Sequence, residues 1–364
     1  MQTNPLASDL DAILDLTPGL WDELRGQRIF ITGGTGFFGR WLLESFAHAN
    51  GRLGLGARAV VLTRHPDAFR RRSPHLAADP AITLQAGDVR DFEFPAGPFG
   101  LLIHAATEAG IRFNAMNSAL MLDTIVTGTR RALDFANQVG IKKFLLVSSG
   151  AVYGRQPPDL ERIPEDYAGA PGLLDPQDAY GAGKRAAELL GLRYARQSAL
   201  KVKIARGFAF AGPGLPLDAH FAIGNFIRDG LRNGPIVVQG DGTPLRSYLY
   251  AVDLATWLWT ILLRGKSACP YNVGSEHAIA IASLAKLIAA LAGPHIAVRI
   301  ARPPVPDLPP ARYVPDTSRA RRELGLKETV TLEDMLRRTI DFYRKHSLDC
   351  WPARASSEPD GRQL

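Results

Sequence analysis

Cysteine is nearly missing from this 364-residue chain. The two present, Cys269 and Cys350, belong to no C-x-x-C pair, so no disulfide scaffold is expected and free thiols in a reducing, cytoplasmic setting are. No apolar run reaches the roughly 18 to 20 residues of a membrane span, although 46% of the residues are hydrophobic. The opening stretch, MQTNPLASDLDAILDL, carries acids and no basic n-region, unlike a secretory leader. Repeats at solenoid periods are absent, and no metal site is expected. A strong charge of one sign is lacking too. Forty-three basic and 36 acidic residues leave +7, dispersed along the chain, with Arg70-Arg71-Arg72 as its densest run. Without a recognition module, that excess does not point to nucleic acid; a positive site for an anionic small molecule accounts for it.

What is present is alternation. Short apolar runs at Arg28–Thr32, Ala59–Thr63, Ile82–Gln85, Leu101–His104, Lys143–Ser148 and Val202–Arg206 read as strands. Between them, Trp41–Ala49, Met121–Val139 and Gln177–Ser198 read as helices, the pattern of an α/β fold with a doubly wound parallel sheet. After residue 212 proline and glycine become frequent and only short segments follow, at Ile236–Gln239, Ser247–Tyr250, Tyr271–Val273 and Ala297–Ile300. The expected organisation is an N-terminal helical extension (1–24), a dinucleotide-binding domain (25–212), a smaller interleaved lobe carrying mainly substrate contacts (213–350) and a polar, poorly ordered tail (351–364).

The stretch Thr32-Gly33-Gly34-Thr35-Gly36-Phe37-Phe38-Gly39 follows the first strand and opens a helix. Glycines at 33, 36 and 39 suit three demands: a tight turn, close approach of backbone to a pyrophosphate, and packing of helix on strand. The helix N-terminus supplies free N–H groups and a partial positive charge for phosphates. In this strand–turn–helix context the pattern marks a Rossmann-type NAD(P) site. The second strand ends Leu62-Thr63-Arg64, without the acid that would hold an adenosine 2′-hydroxyl. Arg64 can pair with a 2′-phosphate, which favours NADP over NAD; a solvated surface arginine is the competing reading. Asp88, before Val89, is either an adenine contact or a plain turn aspartate.

Tyr180 and Lys184 stand at i and i+4, one turn apart on a helix face. A free tyrosine ionises near pH 10, and a lysine cation beside it favours the phenolate, tuning it for proton transfer near neutral pH. Upstream a strand ends Val147-Ser148-Ser149-Gly150-Ala151-Val152-Tyr153-Gly154, placing the Ser149 hydroxyl at the ligand crevice. Tyr153 either lines the substrate site or packs structurally.

With these motifs in order, and with His104-Ala105-Ala106 between them, the chain resembles the extended short-chain dehydrogenases of the NAD-dependent epimerase/dehydratase family, which act on nucleotide sugars. The resemblance covers residues 25 to 345. It implies a catalytic triad of Ser149, Tyr180 and Lys184, and a cofactor run along Ala105, Ala106 and Thr107 and past Val147. It implies a substrate-diphosphate contact at Arg246, within Gly240–Asp253, and a second at Arg312. It also implies a homodimer built on the two long helices. In the family the sugar is oxidised at C4, and the fate of the keto sugar depends on further acid–base groups. Dehydratases and decarboxylases place acids just after the catalytic hydroxyl. Here Gly150 and Ala151 stand there, and only Glu108, on the neighbouring loop, could substitute. The expectation is therefore C4 epimerisation or keto-sugar reduction. Dehydration or decarboxylation with a non-standard acid/base, reduction of a small carbonyl compound and non-catalytic dinucleotide sensing stand as alternatives. The family's R-x-x-N-x-Y-G-P reads here Arg206-Gly207-Phe208-Ala209-Phe210-Ala211-Gly212-Pro213, so sugar contacts must differ; Asp218, His220 and Asn225 are candidate replacements.

Overall fold

The computed structural model describes residues 4–107, 118–172, 178–219 and 221–346. Glu108, His220 and the tail from 351 lie outside them.

Six strands alternate with helices through the first two-thirds of the chain: β1 (Arg28–Thr32), β2 (Arg58–Thr63), β3 (Ile82–Ala86), β4 (Leu101–His104), β5 (Lys143–Ser149) and β6 (Lys201–Gly207). β1, β2, β4, β5 and β6 are buried along nearly their whole length, as both-face covering of a parallel sheet requires. A seventh strand, β11 (Pro270–Val273), returns from the C-terminal part to pair with β6. The order is β11-β6-β5-β4-β1-β2-β3, all parallel, and it reverses direction between β1 and β4. Doubly wound sheets bind ligands in the crevice beyond the carboxyl ends of the strands at such a switch point.

The helices are α1 (Ala7–Leu16), α2 (Phe37–Leu53), α3 (Pro66–Arg72), α4 (Pro74–Ala77), α5 (Ser118–Gln138), α6 (Ala179–Gln197), α7 (Ala222–Leu231), α8 (Ala251–Arg264), α9 (Ile281–Ala292), α10 (Ser318–Leu324) and α11 (Leu332–Lys345). α2 runs further than Trp41–Ala49 because nothing stops it until Gly54 takes a left-handed φ of +57°. One apolar core, on the α2 and α8 side of the sheet, includes Ile29, Trp41 and Trp259; the other, under α5 and α6, includes Phe30, Phe135 and Phe144.

The N-terminal extension is an integral part of the first core. Leu6, Leu10, Ile13, Trp21 and Leu24 are buried, and Trp21 meets Trp259 of α8 at 5.1 Å between ring centroids. Small ladders complete the fold: β7 (Phe210–Ala211) with β10 (Leu249–Tyr250), β8 (Ile236–Val238) with β13 (Val298–Ile300), and β9 (Leu245–Arg246) between β12 (Ile279–Ala280) and β14 (Arg312–Tyr313). Of the stretch read as a strand at Ser247–Tyr250, only Leu249–Tyr250 is one; Ser247 and Tyr248 lie between β9 and β10, which belong to different ladders.

Candidate active site

The three loop glycines meet three different surroundings. Gly33 has φ +72°, and a Cβ there would stand 2.4 Å from the Ala105 carbonyl carbon. A Cβ on Gly39 would lie 2.3 Å from the Gly33 carbonyl oxygen. Gly36 is different: its nearest neighbour would be the Gly33 oxygen at 3.5 Å, ordinary contact. The protein therefore needs Gly33 and Gly39 for its own backbone, whereas Gly36 leaves its side open toward the crevice. α2 starts at Gly36 with no side-chain cap and no acid in its first turn, so its N–H groups are available to an anion. Thr35 is exposed, Phe37 and Phe38 are half-buried, and Phe38 packs edge-on against Phe210 at 4.8 Å. This cradle fits a dinucleotide pyrophosphate.

A polar strut fixes the neighbouring loop. His104 on β4 bonds Thr32 of β1 through Nδ1 (2.8 Å) and Thr129 of α5 through Nε2 (3.0 Å). The Ala106 N–H donates to Thr32 Oγ1 (3.3 Å), which sets Ala105–Thr107 beside Gly33. Burial pushes His104 down to about 3, with the Lys184 charge adding to it, so the imidazole is neutral. At the tip of β2, Thr63 is buried and Arg64 exposed. The Asp88 carboxylate accepts from Arg90 at 2.9 Å, and Arg90 also reaches Asp123 at 3.2 Å. Burial pushes Asp88 up, but the Arg90 hydrogen bonds and the charges of Arg90 and Arg64 outweigh it and leave it below the usual carboxylate range. Val89 is buried against Gly128 of α5.

Tyr180 and Lys184 lie in the first turns of α6, as their spacing requires. Lys184 is 2% exposed; its ammonium donates to the Val147 carbonyl (2.9 Å) and stands 5.9 Å from the centre of the Tyr180 ring. Burial draws the lysine down to about 8, against the opposing pull of Glu188. Burial pushes the Tyr180 phenol up, and the groups that draw it back are the hydroxyls of Ser149 and Thr107. The lysine cation expected to favour the phenolate stands beside the ring, with one of its donors on Val147. Ser149, at the end of β5, also accepts from the Ala151 N–H at 3.2 Å.

Behind Ser149 lies a buried network. Ser148 donates to Glu188 (2.5 Å), Glu188 pairs with Arg206 (2.6 Å), Arg206 donates to the Tyr153 hydroxyl (2.8 Å), and that hydroxyl donates to Asn272 (2.7 Å). Tyr153 is thus 1% exposed, with its polar end turned away from the crevice; it supports the site from within.

The lobe meets the triad through β14. In the β9–β14 ladder Tyr313 pairs with Arg246 and Arg312 pairs with Leu245. Paired residues of a ladder share a face and successive ones alternate, so Arg246 stands with Tyr313 and Arg312 is sent to the other face. Arg246 and Arg312 thus stand on neighbouring strands, one register step apart. Arg246 remains beside the site, donating to the Leu245 carbonyl at 2.8 Å. Asn225, on α7, accepts from Arg228 (3.3 Å), and Asp218 is exposed.

The family model described as the NAD dependent epimerase/dehydratase family matches residues 29–274. The chain belongs to that family. It is an NAD-dependent enzyme of the extended short-chain dehydrogenase kind. Among curated relatives, UDP-glucuronic acid decarboxylase 5 of Arabidopsis thaliana is 31% identical over 85% of this chain and 87% of its own length. UDP-glucuronic acid decarboxylase 1 of the same plant is 29% identical over 88% of this chain and 71% of its own length. Among solved structures, DesIV, a dTDP-glucose 4,6-dehydratase of Streptomyces venezuelae with NAD bound, superposes with TM-score 0.75 at 24% identity, over 88% of this chain and 97% of that one. A UDP-glucose 4-epimerase of Thermotoga maritima, solved with UDP-glucose, gives TM-score 0.73 at 22% identity over 87% and 99%. No helix among the described residues is long and apolar enough to cross a membrane.

The sequence left Phe208 and Tyr313 without a role. A Cβ on Gly150 would stand 2.6 Å from the Tyr313 hydroxyl and 2.8 Å from Phe208 Cζ, and the two rings pack 4.7 Å apart. No local pattern marks either residue; only the pairing of strands distant in sequence brings them to Ser149.

Proposed function

We propose that this family member oxidises the sugar of a nucleotide sugar at C4 and then returns the hydride, as an epimerase, or reduces a keto sugar. The observation that carries the reading is the triad of Ser149, Tyr180 and Lys184 beside the open Gly36 cradle, followed by Gly150 and Ala151, which cannot move a proton. Tyr180 takes the hydroxyl proton as the phenolate and gives it back as the phenol. Ser149 holds the sugar oxygen, Lys184 holds the nicotinamide ribose, and Arg246 takes a diphosphate oxygen. The bound dinucleotide supplies the hydride acceptor and donor. Arg64 at the tip of β2 supports NADP, while the family supports NAD. The exposed Leu120 and Leu122 of α5 and Leu189 of α6 (40%, 39% and 63%) support a homodimer through these helices.

Decarboxylation is the second reading, favoured by the curated relatives. One experiment separates the two. The purified protein is offered UDP-glucose and UDP-glucuronic acid with NAD, NADP or NADPH, and the sugar is identified by mass spectrometry and nuclear magnetic resonance. An inverted C4 without change of mass, or a reduced sugar at the expense of NADPH, is expected. Loss of carbon dioxide from UDP-glucuronic acid moves the assignment to the second reading. If no sugar changes and the nicotinamide absorbance never responds, both fail. Arg246→Ala should weaken turnover strongly only if a diphosphate is bound, which separates a nucleotide sugar from a small carbonyl substrate.

A further inference from the structure

Lys184 and Glu188 stand at i and i+4 on α6, and both are buried, at 2% and 5% exposure. They reach consecutive residues of β5. The Lys184 ammonium donates to the Val147 carbonyl at 2.9 Å, and the Ser148 hydroxyl donates to Glu188 Oε1 at 2.5 Å. Ser148 and Arg206 are register partners on β5 and β6, and Glu188 bonds both. Arg206 Nε donates to Glu188 Oε1 at 3.0 Å, and Nη2 donates to Oε2 at 2.6 Å. Arg206 is itself fixed through Nη1, which donates to the Tyr153 hydroxyl (2.8 Å) and to the Glu165 carbonyl (3.0 Å).

Both oxygens of Glu188 are thus held on the ladder. Its charge still reaches Lys184, one helical turn away. Burial draws the lysine down to about 8, and Glu188 is the charge that opposes this. Because Ser148 and Arg206 hold the carboxylate, it acts on the ammonium without occupying a donor. An ammonium has three donors, and one of them is on Val147.

We propose that Glu188, clamped by Ser148 and Arg206, is a positioning residue for Lys184: it keeps the buried ammonium charged and leaves its remaining donors to Tyr180 and the nicotinamide ribose. The proposal rests on the reading of Lys184 as the cation of the catalytic triad. Glu188 acts through Lys184 and is not itself a catalytic residue.

The surroundings fix the sign. Lys184 faces His104 on β4, neutral because burial draws it down to about 3, the Tyr180 phenol on its own helix, and Glu188. Glu188 faces Arg206 and, beyond it, Tyr153, neutral because burial pushes its phenol up to about 12. Among these groups Glu188 is the only carboxylate. Removing its charge therefore makes the lysine release its proton at lower pH.

The test is the titration of Lys184 in the cofactor-free protein. It is followed by nuclear magnetic resonance of labelled lysine and assigned by the signal missing in Lys184→Met. Glu188→Gln keeps the shape and removes the charge, and the Lys184 midpoint should fall by about one pH unit or more. Arg206→Met should do the opposite. The released carboxylate then pairs with Lys184, so the midpoint should rise by about one unit, while NAD affinity falls about threefold or more as ammonium donors are taken. Turnover is the second readout. In Glu188→Gln the alkaline limb of kcat/KM should move down with the lysine, giving a loss of about five- to tenfold at pH 8 and within about twofold at pH 6. A merely structural Glu188 would lower turnover alike at both. An unchanged midpoint in Glu188→Gln overturns the proposal, as does an equal loss at the two pH values or a midpoint that does not rise in Arg206→Met. If Glu188→Gln does not fold, because Arg206 is left buried without its anion, the double variant Glu188→Gln/Arg206→Met decides in its place. Its midpoint should still lie below that of wild type, and one at or above it overturns the proposal. Failure of every nucleotide sugar to react overturns the proposed function but leaves the lysine titration to judge this inference by itself.

Discussion

Lys184 shares only 2% of its surface with solvent and still carries an ammonium in the folded protein at neutral pH, with burial drawing it from 10.5 to about 8. An unfolded lysine binds its proton up to about 10.5. Between those two values the unfolded chain holds more protons than the folded one, so stability rises with pH across that window, and the penalty is fully present below pH 8. Lys184→Met should therefore stabilise the cofactor-free protein at pH 7 by on the order of 2 kcal/mol, and the gain should vanish above about pH 10.5. The same variant should lose at least about a hundredfold in turnover, the usual opposition of stability and function at an active site. Thermal melts of both proteins at pH 7 and pH 10.5 check it; a variant less stable than wild type at pH 7 would show that the bond to Val147 outweighs burial.

At the scale of elements, the β1–α2 turn separates what folding needs from what binding needs. Gly39→Ala puts a methyl group 2.3 Å from one backbone atom and 2.4 Å from another, and should cost about 2 kcal/mol or more along with cofactor binding. Gly36→Ala meets only an ordinary contact at 3.5 Å, so its melting in the absence of cofactor should stay within about 1 kcal/mol of wild type while NAD affinity falls about tenfold or more. Melts with and without NAD distinguish the two; equal damage in both variants would mean that Gly36 is a folding glycine. This loop was legible because strand, glycines and helix are contiguous, and so were the six alternating strands and the Tyr180/Lys184 spacing. The β9–β14 register was not. Along the chain Arg312 stands out as a site residue and Tyr313 does not, and only the pairing of distant strands brings the Tyr313 hydroxyl beside Gly150. The break at Ser247 and Tyr248, between β9 and β10, was hidden for the same reason: the partners of the two strands, Ile279 and Phe210, lie far away in sequence.

For the whole molecule, the surprise is how much the first residues hold together. The carboxyl ends of the strands carry the site, while Glu23 pairs at the opposite end with Lys143, the first residue of β5, and with Arg264 at 3.1 Å. Asp9 receives the Tyr250 hydroxyl at 2.5 Å and Arg338 at 3.1 Å, tying α1 to β10 and to α11. Leu6, Leu10, Ile13, Leu20, Trp21 and Leu24 fill the space between. Removing residues 4–24 would bare the flank of α8 and α2 and leave Tyr250 and Arg338 without Asp9. A loss of several kcal/mol is expected from the apolar surface alone, which for a protein of this size lowers the melting midpoint by about 10 °C. Because the damage lies at the amino ends of the strands, turnover per folded molecule at low temperature should stay within about twofold of wild type, and Tyr180 should keep its ionisation. Calorimetry and active-site titration of the shortened chain check both parts. An unchanged midpoint would make the segment an appendage. Lost turnover in a chain that still melts cooperatively near the wild-type midpoint would mean instead that the segment acts on the crevice through α2, whose N-terminus carries the phosphate cradle.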